Sequence, residues 1–318
     1  MGDTGGVLDR SAVLAAVPDV PPPGAGATWQ RFAALVDTGR ADLARAKLVE
    51  SHLDALAILD ELAPRTAPAD CLWAVWAAEP PTARLRADGP RLTGTKAFCS
   101  GAAVVDRALV TVPDDDGSRL FAVDVAAGRA DGTVVVGPDE WVAGGMARSG
   151  TRTLTLTDVP ATAVGGPGDY TARPGFWHGA AGVAACWHGG TLAVADLLLA
   201  SSRRRADDPL VRRRVAEVAA EVAATDAVLR RASEQVDHEV RTDAAAARLV
   251  AELTRTRAVT AARRVLEVAR TALGPGPLAF DPAARDVTED LAMFVLQHHG
   301  DRDLAALGGL VLDAEHPW

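Results

Sequence analysis

The sequence predicts an α+β protein on three observations. Short runs of alternating apolar and polar residues fill the stretch from Leu72 to Pro160, helical apolar spacing flanks it on both sides, and Gly and Pro cluster at the joins. The run over 151–159 shows the alternation most plainly, with Leu154 and Leu156 set against Thr153, Thr155 and Thr157, the pattern of a half-buried strand. The chain divides into an N-terminal Pro-rich lead-in and helical segment (1–69), a middle β domain (70–165) and a C-terminal helical bundle (166–318). At 318 residues, 48% of them hydrophobic, it can bury a full core.

Pro18, Pro21, Pro22 and Pro23, with glycines nearby, make 1–27 an extended lead-in. Helical spacing begins at Thr28, through Trp29, Phe32, Leu35 and Val36. After Gly39 a longer helix over about 41–62 carries Leu43, Leu48, Leu53, Leu56, Ile58 and Leu59 on its core face, and Pro64 and Pro68 end it. Strands are expected near 72–77, 91–98, 107–112, 120–125, 133–136 and 151–159, with turns at 88–90 and 114–117 and a Gly-rich linker at 165–168. Four helices follow, over about 176–204, 209–239, 243–273 and 287–312, and their short connections predict an antiparallel four-helix bundle.

A net charge of −9 argues against a nucleic-acid partner, which calls for a basic face. The three cysteines, far apart and without a CxxC spacing, indicate neither a disulfide framework nor a zinc site, so a reducing cytoplasm is expected. The opening residues lack a basic segment followed by an apolar core, the mark of a signal peptide. The most apolar stretch, 179–200, is rich in small residues and interrupted by His188 and Asp196, which suits a buried helix rather than a membrane span.

Four segments, taken together, resemble the acyl-CoA dehydrogenase superfamily in order and spacing. They are Ala77-Ala-Glu-Pro80, Gly94-Thr-Lys-Ala-Phe-Cys-Ser-Gly101, the run from Gly145 to Pro160, and Leu273-Gly-Pro-Gly276. The resemblance implies an FAD-dependent oxidoreductase. Trp76, Ala77 and Ala78 would offer backbone N–H groups to the pyrimidine side of the isoalloxazine, where a reduced ring carries negative charge. Phe98 would cover a ring face, Ser100 would hydrogen-bond near N5, and Cys99, Gly274 and Gly276 complete the matched cofactor positions.

The sequence departs from that pattern in three places. The N-terminal helical part is short. The turn after Glu79-Pro80 lacks glycine, and Arg84 stands where the family places a Ser near phosphate, which makes it a candidate substrate or phosphate partner. The family's basic carboxylate on the last helix aligns with His298, within one residue of register; an imidazole can take up a proton there. His178, on the first bundle helix, would flank the substrate cavity. The resemblance implies α,β-dehydrogenation of an acyl thioester with hydride transfer to flavin N5, an electron-transfer flavoprotein or another acceptor, and a homodimer or homotetramer. The alternatives are a reduced-flavin monooxygenase of the same superfamily and a non-catalytic paralogue that partners an active subunit.

Overall fold

The computed structural model describes residues 6–63, 70–114 and 117–314. The expected helix stops Pro64 and Pro68, the turn residues Asp115 and Asp116 and the first five residues of the lead-in lie outside this range. The lead-in is not wholly extended, because a short helix α1 (Arg10–Leu14) forms within it. The Asp9 carboxylate starts α1 by accepting from the Ala12 N–H at 2.8 Å, and Arg10 ties the helix to Asp106 of the β domain at 2.7 Å.

Helix α2 (Thr28–Ala41) runs through Gly39 instead of stopping there. It gives way to α3 (Leu43–Leu62) at Asp42, whose carboxylate caps α3 by accepting from the Arg45 N–H at 3.0 Å. Gly39 answers a packing need rather than a chain break: a Cβ there would lie 2.5 Å from the Cys186 carbonyl oxygen.

The β domain holds β1 (Trp73–Trp76), β2 (Leu85–Asp88), β3 (Arg91–Cys99), β4 (Arg107–Val112), β5 (Arg119–Asp124), β6 (Val134–Val136) and β7 (Arg152–Val164), with helix α4 (Val125–Asp131) between β5 and β6. Strand order is β1-β4-β5-β7-β3-β2, and β6 also pairs with β7. The 13-residue β7 is the spine of the domain, pairing with β3 and β6 through its first part and with β5 through residues 161–164. Strand β1 lies at an edge, joined to β4 by a parallel ladder. Its outward N–H groups go to α3 rather than to another strand: Trp73 donates to His52 Nδ1 at 3.0 Å and Val75 to Ser51 Oγ at 2.8 Å. The buried Lys96 ammonium ties β3 to β4 by donating to the Thr111 carbonyl at 2.7 Å and hydroxyl at 2.9 Å.

The C-terminal region comprises α5 (Asp169–Ala172), α6 (Pro174–Ser202), α7 (Pro209–His238), α8 (Ala244–Leu273), α9 (Pro275–Phe280), α10 (Pro282–Phe294) and α11 (Asp301–Asp313). Pro at the first turn and an aspartate cap open both α7 and α10. The helix expected over 287–312 is two helices, because a 3₁₀ turn (Val295–Gln297), an extended His298 and Gly300 at φ 60° separate α10 from α11. Helix α6 is long and apolar enough to cross a membrane, but it is the hub of the helical core, packed by α2, α3, α7, α8 and α10.

Candidate active site

A cleft of about 610 Å³ opens where the C-terminal end of β1 meets α3, α6 and the end of α10, a size that admits a drug-sized ligand. Its β-domain wall is formed by Trp76, Ala77, Ala78, Phe98, Ser100 and Thr151. The β1 ladder ends at Trp76, so Ala77 and Ala78 carry the backbone past it along the cleft. The Trp76 indole N–H donates to the Ser100 carbonyl at 3.0 Å and fixes these two lining segments to each other.

Phe98 takes a left-handed backbone conformation, φ 56°, at a register shift between β3 and β7 spanning Lys96 to Cys99. A bulge of this kind re-aims side chains. It leaves Phe98 56% exposed on the cleft wall while Cys99, the next residue, is fully buried. Cys99 therefore does not line the cleft as expected; its thiol packs inward, donates to the Lys96 carbonyl at 3.2 Å and is pushed up to about 12 by burial.

A hydroxyl relay sets the chemistry of Ser100. Ser149 Oγ donates to the Met146 carbonyl at 2.7 Å, so its 2.8 Å contact with Thr151 must use the Thr151 proton. The 2.9 Å contact between Thr151 and Ser100 must then use the Ser100 proton. Ser100 Oγ is left with lone pairs alone to offer the cleft, an acceptor and not a donor.

The opposite wall is polar. Lys47, Glu50, Ser51 and Asp54 of α3, spaced as one helical stripe, face Gly179, Ala180 and Val183 of α6, with Tyr170 and Phe176 beside them. Lys47 pairs with Glu50 at 3.3 Å. Asp54 has neither a hydrogen bond nor an ion pair among the described residues. Burial raises its carboxyl to about 6, against the opposing pull of Arg173, Arg31 and Lys47 and with the help of Glu50. Burial also pushes the Tyr170 phenol up, so it stays a neutral donor. Sequence reading had given α3 only its apolar face; the signal it passed over was a second, polar stripe at the same helical spacing.

His298 is not on the cleft. It is 3% exposed, its Nδ1 accepts from the Gly300 N–H at 3.2 Å, and its Nε2 lies 3.4 Å from the Thr256 hydroxyl of α8. The turn that ends α10 rotates it inward, and burial depresses its imidazolium. His299 lines the cleft instead, 63% exposed at its side chain and 3.4 Å from Asp303. Arg255 also lines the cleft, held by the Gln297 carbonyl at 3.1 Å and stacked on Trp187 at 4.8 Å.

Four further expectations are corrected by position. Arg84 is exposed outside the cleft lining, since its backbone is clamped to Thr95 at the start of the β2–β3 hairpin. His178 is buried against the Val240 carbonyl at 3.3 Å and borders a separate cavity with Pro22, Pro23 and Arg241. Gly274 stops α8 at φ 68° and Gly276 sits within α9, and neither lines the cleft.

Residues 168–279 match the family model described as acyl-CoA dehydrogenase, C-terminal domain. No curated protein matches the chain. Among solved structures, FMN-bound TdsC from Paenibacillus sp. A11-2 aligns at TM-score 0.76 and 19% identity, covering 90% of this chain and 84% of that one. Butyryl-CoA dehydrogenase from Megasphaera elsdenii aligns at TM-score 0.76 and 16% identity, covering 96% and 91%. FkbI, described as acting in biosynthesis of a methoxymalonyl extender unit, aligns at TM-score 0.78 and 19% identity, covering 98% and 95%. The C-terminal region thus matches the acyl-CoA dehydrogenase C-terminal family model, and the chain as a whole has the acyl-CoA dehydrogenase-like fold.

Proposed function

We propose that the chain is a flavin-dependent oxidoreductase acting on a small polar substrate. The observation that carries this is the cleft itself, with one wall suited to a flat ring and the other to a polar molecule. An isoalloxazine fits against Trp76–Ala78, Phe98 and Ser100. The aromatic ring of Phe98 offers a face, the backbone beyond β1 offers polar groups at the ring edge, and Ser100 offers an acceptor. The bound flavin would supply two-electron redox chemistry, and the protein would bind, orient and desolvate the reactants.

The polar α3 wall disfavours a long hydrocarbon acyl chain, which would cover the Lys47–Glu50 pair and Asp54 without hydrogen-bonding them. The last-helix position that should remove an α-proton holds Gln297, the turned-in His298 and the Asp303-bound His299, and no carboxylate. That absence favours, as a second reading, a reduced-flavin monooxygenase, because delivery of oxygen to a heteroatom needs no C–H proton acceptor there. TdsC, a structural neighbour, is described as a dibenzothiophene monooxygenase. An acyl-CoA dehydrogenase acting on long-chain thioesters is the reading that this lining supports least.

Titrating the purified protein with FMN and with FAD, followed by flavin fluorescence and the visible spectrum, tests the cofactor assignment. Saturable binding of either, weakened by Ser100→Val, is expected; absence of binding by both overturns it. Anaerobic bleaching by acyl thioesters against oxygen uptake with supplied reduced flavin then separates dehydrogenase from oxygenase.

A further inference from the structure

We infer that the α3 wall is the subsite for a protonated amine, and that the substrate of this cleft carries a basic nitrogen which Asp54 receives. The inference rests on the proposed oxidoreductase reading and names its substrate class. It follows from which charges along the cleft are already satisfied. Lys47 is committed to Glu50 at 3.3 Å, and Arg255 to the Gln297 carbonyl and the face of Trp187. Glu50 is thereby answered as well. Among the described residues, Asp54 alone of these charged side chains lines the cleft without a hydrogen bond or ion pair.

The surroundings of Asp54 fit a cation better than an anion or an apolar group. A Cβ at Gly179 would stand 2.6 Å from Asp54 Oδ1, so glycine at that point of α6 keeps the carboxylate accessible. Tyr170 and Phe176 line the cleft as an edge-to-face pair with centroids 5.2 Å apart, and such rings attract an ammonium and pack against the body of an arylalkyl or alicyclic amine.

The groups acting on Asp54 from the packed elements are Glu50 and Lys47 on α3, Arg31 on α2, Arg173 before α6 and Tyr170 on α5. Three of these are cations, yet burial still outweighs them and holds the carboxyl near 6. At neutral pH Asp54 is thus ionised yet desolvated and without a hydrogen-bond donor among the described residues, and a ligand ammonium supplies that charge-assisted hydrogen bond.

Calorimetric binding of benzylammonium and of neutral benzyl alcohol, to the flavin-free and the FMN-loaded chain, tests the inference. Near neutral pH the ammonium is expected to bind at least about tenfold more tightly than the alcohol. Asp54→Asn removes that margin and leaves benzyl alcohol binding unchanged. Acidification of the unsubstituted chain below the Asp54 transition near 6 removes the margin too, an arm that needs no variant. Equal binding of the two probes, or a margin that survives both Asp54→Asn and acidification, overturns the inference. Failure of FMN to bind would count against the cofactor assignment alone, since the flavin-free arm reads the amine subsite by itself.

Discussion

Phe98 concentrates what one residue contributes to this cleft. A bulky side chain in the left-handed region costs about 1–2 kcal/mol, and the ring is exposed rather than buried, so local packing does not repay that cost. Strain of this kind collects at ligand sites. Phe98→Gly should leave the melting midpoint unchanged or raise it, while weakening flavin binding about tenfold through loss of a stacking face; a destabilised variant with intact flavin affinity would refute the assignment. The sequence pointed to Phe98 and Ser100 through the Gly-Thr-Lys segment, and both line the cleft. It could not separate His298 from His299, because neighbouring residues point in different directions and the direction depends on a helix end set by Gly300. Nor could it see Asp54, whose place on the cleft beside Gly179 and Tyr170 depends on residues far along the chain.

Among the elements, the α3–β1 contact joins stability to the site. His52 is buried and accepts the Trp73 N–H through Nδ1, so its proton sits on Nε2 and the ring must remain neutral. Burial lowers its folded pKa from 6.5 to about 4, with Arg31 contributing. The unfolded chain therefore binds more protons between those values. The resulting stability, on the order of 3 kcal/mol, is present above pH 6.5 and is lost as the pH falls toward 4. Amide exchange should report Trp73 losing protection early in an acid titration, ahead of the β4–β5 ladder; equal loss across the sheet would contradict this origin. Strands such as β4 were legible to the residue, since Arg107–Val112 is bounded by clear breaks. Strand β2 was not, because only Leu85 of its four residues is buried and a short polar edge strand carries no alternation. The same holds for α4, which begins directly where β5 ends, without a Gly or Pro between them.

Across the whole molecule, apolar residues of the N-terminal helices, the sheet and the C-terminal helices join in one continuous core, with a smaller cluster around Ile58, Trp73 and Tyr170. Cys99 and Cys186 are buried, and Cys71 is only partly so. A soluble thiol reagent should therefore modify Cys71 alone in the folded protein and reach all three thiols only with global unfolding. Rapid modification of two or more thiols under native conditions would show that the core opens piecemeal. Cys186 also marks the crossing where α2 and α6 meet backbone to backbone: a Cβ at Gly39 would strike its carbonyl, and one at Gly189 would lie 2.7 Å from the Arg40 nitrogen. Two rods seated this closely leave no cushion on which to slide, so they form a welded joint and not a hinge. The cleft beside this joint therefore keeps α6 as a fixed wall, while Phe98 and Leu296 stand exposed on its lining.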